Sequence, residues 1–443
     1  MAIPSDSAAL RQATRLDDIA GRFDPWLLAG SIALACFGVV MVGSAAIAGA
    51  GYGVGPWHFL TRHLIALAIG VVLALALMRT ELKAIEARNQ WLLLGCVVVL
   101  ALVFVPGIGK SVNGARRWIN LGVLNFQAVE AVKLLVIIWL ASYLKRYSED
   151  VAATWRAMLK PLGVAAALVA LLLAQPDFGS SSLLLAIVGG MLVLGGVNMP
   201  RMFIPVSLAL PALAALVIFE PYRMRRFTSF LDPWDDPFNS DYQLTNALMA
   251  VGRGEWFGVG LGGSVQKLSY LPEAHTDFIL AVIAEELGFV GVALVIGLYA
   301  LVAGRAFWLG LKCVEMRRHF AGYVAFGIGL WISLQSFVSI GVNLGLLPTK
   351  GLTLPLISSG GSSVMMTCAA LGLLLRISYE YDRASRQVAR LRGAAGLAPQ
   401  GTPPPMAQPP GLADAAAVRG TSRLRQRIEP VLGTRAEGKR RAR

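Results

Sequence analysis

The sequence predicts an all-α polytopic membrane protein, and three observations carry that expectation. Hydrophobic residues make up 56% of the 443-residue chain, charged residues only 15%, and the mean hydropathy is +0.62. A soluble domain has roughly 25% charged residues. Apolar runs of about 17–25 residues, the length that crosses a bilayer as a helix, recur along the chain. Basic residues are also distributed unevenly between alternate connectors.

The runs begin near Trp26, Leu60, Trp91, Phe126, Leu159, Ser180, Met202, Asp277, Phe320 and Ser358, which makes about ten transmembrane helices. An even number places both termini on one side. If that side is the cytoplasm, the inner connectors hold Arg79, Lys83 and Arg88, then Lys145, Arg146, Arg156 and Lys160, then Arg201, and finally Arg305, Lys312, Arg317 and Arg318. The short outer connectors hold only Arg62, Lys110, Arg116, Arg117 and Lys350. The preference for positive charge on the inner side therefore favours cytoplasmic termini. Residues 107–126, 175–180, 220–276 and 345–358 then lie on the outer face, and they carry nearly all the motif-like sequence.

Three regions are expected. Residues 1–25 form a cytoplasmic N-terminal segment, with no small-residue cleavage site after the first apolar run. Residues 26–380 form the membrane domain, with a large outer loop at 220–276 between helices seven and eight. Residues 381–443 form a disordered, Pro- and Arg-rich cytoplasmic tail. Of the 40 Lys and Arg residues, 14 fall at or after Arg376, so the net charge of +14 speaks to orientation and anionic lipid rather than to nucleic acid. Cys36, Cys96, Cys313 and Cys368 stand singly, without metal-ligand spacing, and read as packing residues. No internal repeat suggests an inverted-repeat transporter.

The most informative stretch is Leu268 to Gly288. Glu273, His275 and Asp277 sit where a polar loop enters an apolar run, and Glu285 and Glu286 follow two turns later. Carboxylates are costly in a bilayer and are functional candidates there. Asp277 at the mouth of a span reads either as a helix cap or as a group that meets a substrate with a polar head and a greasy tail. Glu285 and Glu286 lie about 12–14 Å further along at 1.5 Å per residue.

In the fourth run, Glu130 and Lys133 share a helix face at i, i+3 spacing, with Lys133 about 9–10 Å deep. Similar depth suggests an ionic cluster of Glu130, Lys133 and either Glu285 or Glu286, acting as a structural lock, as the lining of a substrate cavity, or as both. Arg223, Arg225, Arg226, Arg253 and Lys267 join Lys110, Arg116, Arg117 and Lys350 on the outer side, either as solvated charges or as diphosphate ligands, for which the planar guanidinium fork is well shaped. Gly/Ser runs at Ser358–Ser363 and Gly258–Gly263 offer amides that suit an anion, a weak signal taken alone. Gln175-Pro-Asp-Phe-Gly179 reads as a tight turn with Asp177 as a cap.

Seven ordered motifs carry a resemblance. They are Gly114-Ala-Arg-Arg-Trp-Ile-Asn-Leu-Gly122, Gln175-Pro-Asp-Phe-Gly179, Asp235-Asp-Pro-Phe238, Tyr242-Gln-Leu-Thr-Asn246, Gly252-Arg-Gly-Glu255, Tyr270-Leu-Pro-Glu-Ala-His-Thr-Asp-Phe-Ile279 and Leu347-Pro-Thr-Lys-Gly-Leu-Thr-Leu-Pro-Leu-Ile357. In that order the chain resembles the SEDS family (shape, elongation, division, sporulation) over residues 26–380, and its division branch more than its elongation branch. Two departures stand out. Ala128 replaces the usual Pro ahead of Glu130, and Ser359 replaces an aromatic residue.

The resemblance implies a peptidoglycan glycosyltransferase that polymerises lipid II by inversion at the outer face of the bacterial inner membrane, at the division septum. It implies Asp277 as the catalytic base. Arg116, Arg117, Glu130, Lys133, Arg226, Arg253, Lys267, His275, Lys350 and Ser362 are the candidate substrate-binding residues, and Glu285 and Glu286 the structural ionic cluster. No cofactor is assigned, although a divalent cation would suit the diphosphate. The implied partners are a class B penicillin-binding transpeptidase (FtsI type) and other membrane proteins of the divisome. A lipid II flippase and a non-catalytic divisome scaffold are the alternatives.

Overall fold

The computed structural model describes residues 20–394, apart from 47–54, 56, 113–114, 121, 123–124, 240 and 269. Most of the N-terminal segment, Gly114 of the first motif and the Pro-rich tail lie outside the described residues. The chain divides into residues 1–389 and residues 390–443. Of the second unit, residues 390–394 are described, and they are helical.

Ten helices form at the ten apolar runs. They are α1 (Pro25–Ala46), α2 (His58–Arg79), α4 (Asn89–Leu102), α5 (Ala128–Ala153), α6 (Trp155–Ala174), α7 (Phe178–Leu194), α8 (Met199–Ile218), α11 (Ile279–Glu315), α12 (His319–Asn343) and α13 (Gly361–Ala394). Seven are long and apolar enough to cross a membrane by length and composition, while α4 and α7 are shorter apolar helices. The remaining one, α5, has 26 residues and carries Glu130 and Lys133 within its first turns. The short helix α3 (Leu82–Ala87) links α2 to α4. The 220–276 segment is not a plain loop, because it contains α9 (Pro221–Leu231) and α10 (Tyr242–Gly254). The last helix also continues past residue 380, where the tail was expected to begin.

One element was not expected in an all-α protein. Strands β1 (Gly109–Val112), β2 (Ala115–Asn120) and β3 (Asn125–Gln127) form an antiparallel sheet in that order, with Lys110 opposite Trp118 and Trp118 opposite Gln127. Strand β3 runs directly into α5. Ala128 is the first helical residue, where proline is favoured but not required, because that amide has no helical partner in any case. The missing Pro therefore leaves the start of α5 intact.

Burial follows the helices that contact one another. Val132, Val136, Ile137 and Leu140 of α5 pack with Leu184 and Ile187 of α7, Val295 and Val302 of α11, and Trp331 of α12 in one apolar core. Helix α8, by contrast, keeps only Met202 buried and exposes Phe203, Leu208 and Leu210. At one end, charged side chains tie the bundle together. Asp24 accepts from the amides of Trp26 and Leu27, each at 3.0 Å, and so caps α1, and it also pairs with Arg305 of α11. Glu86 pairs with Lys145, and Glu380 with Arg318 and Arg376. The sheet, the 220–278 segment and the 344–360 loop gather at the other end.

Helix α11 is broken where it meets that loop-rich end. Gly288 takes φ +63° and ψ −160°, a conformation open to glycine. The break frees the carbonyls of Glu285 and Glu286, to which the amides of Val259 and Gly260 donate at 3.0 Å. Phe289 and Val290 donate in turn to the carbonyls of Glu255 and Trp256, at 2.9 and 3.2 Å. A Cβ on Gly288 would strike the main chain of residues 256–258. Gly288→Ala is therefore expected to cost about 1–3 kcal/mol, seen as a lower thermal midpoint in detergent. Gly297→Ala in the same helix, where a Cβ meets nothing within 4 Å, should leave the midpoint unchanged or slightly raised. Equal midpoints for the two variants would remove this account of the break.

Candidate active site

The segment ahead of α11 is held in an unusual shape. Glu273 has φ +57°, and its carbonyl accepts from the amides of Thr276 and Phe278 at 3.1 and 3.2 Å. The tight turn brings Asp277 to the bundle surface, half-buried, just before the first helical residue. Gly351 of the 344–360 loop lies against the carboxylate, since a Cβ there would sit 3.1 Å from Oδ2. Among the described residues no hydrogen bond reaches the Asp277 carboxylate. Burial, reinforced by the negative charge of Glu273 and opposed by Arg226, pushes it up to about 7. Asp277 thus remains an uncommitted acceptor poised near neutrality, and it does not cap α11 with its side chain.

His275 packs its ring on Phe59 of α2, with centroids 3.8 Å apart. Burial lowers its pKa, Glu273 acts against that, and His58 adds to it. His58 also lines a cavity of about 700 Å³ with Trp57, Thr61, Arg62, Lys110 and Asn120. Two cations, Arg62 and Lys110, are among the residues that line it.

Further cations converge from the other loops. Arg226 of α9 donates to the carbonyl of Thr349 at 3.2 Å and is close enough to Asp277 to act on its charge. Lys350 and Arg223 both lie over the Phe178 ring, at 5.1 and 5.4 Å. Burial lowers the pKa of Lys350, and its ammonium reaches Ser182 Oγ at 3.4 Å. Arg117 is tied down: it donates to the carbonyls of Gln175 and Pro176 and lies 3.9 Å from Asp177. Asp177 caps α7 by accepting from the Ser180 amide at 3.1 Å. Arg116, next along β2, is exposed. Ser362 is buried in the first turn of α13.

The buried charges form two clusters with different partners from those expected. Lys133 donates to Glu130 at 2.9 Å and to Gln335 Oε1 at 2.6 Å, with the Trp331 ring 4.8 Å away. It does not meet Glu285 or Glu286. Glu285 instead accepts from Arg253 at 2.6 Å, from Ser264 Oγ and from the amide of Val265 at 3.0 Å. Glu286 accepts from Lys267 at 2.6 Å and from Ser44 Oγ of α1 at 2.7 and 2.8 Å. Matching depths along two helices do not give matching directions, because rotation about each axis decides which residues face each other.

Lys267 is therefore buried and spent on Glu286. Arg253 keeps its side chain 45% exposed while holding Glu285. The Gly258–Gly263 run is equally committed. Its amides at 259 and 260 serve the broken helix and not an anion, and Gly258, with φ +78°, lies against the Glu286 main chain.

Several site residues lay outside sequence reasoning. Asn343 is fully buried at the end of α12 and contacts the Asp277 main chain. Gln335 receives both Lys133 and Trp331. His58 and Phe59 flank His275. The two amides had one available signal, since a polar side chain within an apolar run has to be satisfied internally. His58 and Phe59 had none, being separated from His275 by more than 200 residues of sequence.

Fold and site together define a class: a polytopic helical membrane protein that holds an uncommitted, half-buried carboxylate among cations at one end of its bundle. The family model described as "Cell cycle protein" (FtsW/RodA/SpoVE) matches residues 25–383, and the chain belongs to that family, the SEDS family. A protein of Xanthomonas oryzae pv. oryzae called "Probable peptidoglycan glycosyltransferase FtsW" is 61% identical, over 96% of this chain and 92% of that one. One of the same designation from Halorhodospira halophila is 48% identical, over 84% and 93%. Among solved structures, a chain described under "Structural coordination of polymerization and crosslinking by a peptidoglycan synthase complex" superposes with a TM-score of 0.67 at 32% identity, covering 81% of this chain and 98% of that one. The Thermus thermophilus rod shape determining protein RodA gives a TM-score of 0.60 at 32% identity, covering 80% and 96%.

Proposed function

We infer that this chain is a peptidoglycan glycosyltransferase, the activity its relatives are named for, and we propose that it polymerises lipid II with Asp277 as general base. One observation supports the assignment most: the Asp277 carboxylate is half-buried and free of hydrogen bonds among the described residues, and it titrates near neutrality beside cations. A base is most effective when its pKa lies near the working pH.

In the proposed reaction, Asp277 takes the proton from the 4-hydroxyl of an acceptor GlcNAc. That oxygen attacks the anomeric carbon of the donor sugar from the side opposite the diphosphate. The carbon–oxygen bond to the diphosphate breaks, its electron pair leaves with the diphosphate, and the α-linkage becomes β-1,4. Lys350 and Arg226, with Arg62 and Lys110 of the cavity that His58 lines, supply positive charge where negative charge develops. Arg116 is free to reach a substrate, whereas Arg117, Glu130, Lys133, Arg253 and Lys267 contribute by holding the frame. His275 lies two residues before Asp277 in the same turn. A divalent cation would come with the diphosphate. Among the described residues no three His, Cys, Asp or Glu side chains converge to hold one, so no step is assigned to it.

The loop-rich end is proposed to face outward at the division septum of the inner membrane, with both termini cytoplasmic. The partner is proposed to be a class B penicillin-binding transpeptidase of FtsI type. The decisive assay supplies the purified protein and its partner with lipid II and follows glycan strands. Transport of lipid II in proteoliposomes without any polymer would favour the flippase reading and defeat this one.

The pH dependence follows from the raised pKa of Asp277. A protonated carboxyl cannot accept a proton, so the rate should fall about tenfold per pH unit below about 7 and level off above it. An acid limb at about 4, the ordinary aspartate range, would show that burial does not hold the Asp277 carboxyl at a raised pKa in the working enzyme.

A further inference from the structure

Three consecutive carbonyls at the site accept from three separate donors, all supplied by the C-terminal part of the chain. The Ser359 amide donates to His275 O at 2.9 Å. Ser358 Oγ donates to Thr276 O at 2.7 Å and accepts from the Leu354 amide at 2.8 Å. Asn343 Nδ2 donates to Asp277 O at 2.9 Å. Loops lack a repeating ladder of their own, so their carbonyls must be satisfied one at a time. Here that requirement coincides with the residues on which the proposed chemistry depends.

Asn343 is the most constrained of the three donors. It is fully buried, and its second amide hydrogen goes to Ser339 O, one turn back in α12, at 2.8 Å. Its Oδ1 accepts from the Ala281 amide at 3.1 Å. That amide lies in the first turn of α11, where it is shared with the Phe278 carbonyl at 3.1 Å and where Phe278, the residue at the cap position, offers no side-chain acceptor. One carboxamide therefore caps α11 from another helix and grips the main chain of Asp277. Neither leucine nor aspartate could replace it. The first makes no hydrogen bond, and the second turns a donor into an acceptor facing two carbonyls.

We propose that Asn343 is a positioning residue for the glycosyl transfer: its carboxamide clamps the Asp277 main chain to α12 and so aims the Asp277 carboxylate without touching substrate, with Ser358 and Ser359 holding the two preceding carbonyls. The inference rests on Asp277 being the base. Misplacement of a reacting group by about 1 Å can cost on the order of 100-fold in rate. Loosening the clamp also admits water to the carboxylate, which lowers its pKa while Glu273 and Arg226, the charges that act on it, stay in place.

The test compares Asn343→Ala, Asn343→Asp and Ser358→Ala in the full chain with its partner, measuring folded yield, kcat, KM for lipid II and the pH profile. For Asn343→Ala we expect kcat to fall on the order of 100-fold with KM unchanged and the acid limb displaced to lower pH. Ser358→Ala should show the same pattern more weakly, and Asn343→Asp should be as impaired as Asn343→Ala. A role in folding alone would lower yield and leave the kcat and pH profile of the surviving protein as they were, which would overturn the proposal. So would full kcat in Asn343→Ala. If Asn343→Ala does not fold, Ser358→Ala decides by the same two readouts. Asp277→Asn separates the two levels: if it polymerises normally, the assignment of the base fails. If it is inactive while the Asn343 and Ser358 variants retain kcat and pH profile, only the clamp fails.

Discussion

Asp277→Asn should abolish glycan polymerisation while the protein remains folded and membrane-inserted. The amide is nearly isosteric with the carboxylate and keeps the shape that fits against Gly351. It also removes a half-buried group whose pKa is raised chiefly by desolvation, so it does not strip a charge from an ion pair. What it loses is the capacity to accept a proton from the acceptor hydroxyl. General-base catalysis contributes on the order of 100- to 10,000-fold, so residual activity should lie below the detection of a strand-length assay. The measurement is polymer formed from lipid II by equal amounts of wild-type and variant protein with the partner present. Wild-type rates in the variant would return Asp277 to a merely structural part and would remove it as the base.

Lys267→Met should have the largest effect on stability. Lys267 is buried, donates to Glu286 at 2.6 Å and to Ser44 Oγ at 3.0 Å, and joins the 255–268 segment to α1 and α11. Methionine fills similar space but leaves Glu286 without its counter-charge. Breaking a buried pair from one side costs about 3–5 kcal/mol, which should appear as a large drop in thermal midpoint and in folded yield. The double variant Lys267→Met, Glu286→Leu removes both charges and should recover part of the loss. A single variant as stable as the wild type would mean that the segment is held by its main-chain bonds alone.

The two clusters also show how far the amino-acid order could be read. Glu130, Lys133, Glu285 and Glu286 stood out because ionised groups within apolar runs require partners, and all four are indeed paired. Their partners were another matter. Depth follows from counting residues at 1.5 Å each, but the facing direction follows from how helices rotate and cross. Gln335, Arg253 and Lys267 took the places expected for one shared cluster. The Gly258–Gly263 run was likewise visible as a place of close approach, though what approaches it is the broken turn of α11 at Gly288 and not an anion.

Composition, the recurrence of apolar runs and the order of seven motifs were sufficient for the class and the family, because they depend on residue type and local spacing, and the same motifs drew attention to Asp277. The sheet at residues 109–127, the break in α11, the cavity lined by His58 and the hydrogen bond from Asn343 to the Asp277 carbonyl belong to the tertiary structure. Each is a contact between segments remote in the chain, and such contacts are settled by which partners can satisfy a freed carbonyl or a buried charge once the helices have packed. Asp277 could be singled out from its neighbours along the chain, whereas the main chain around it is held by Asn343, Ser358 and Ser359, which only the packed structure brings there.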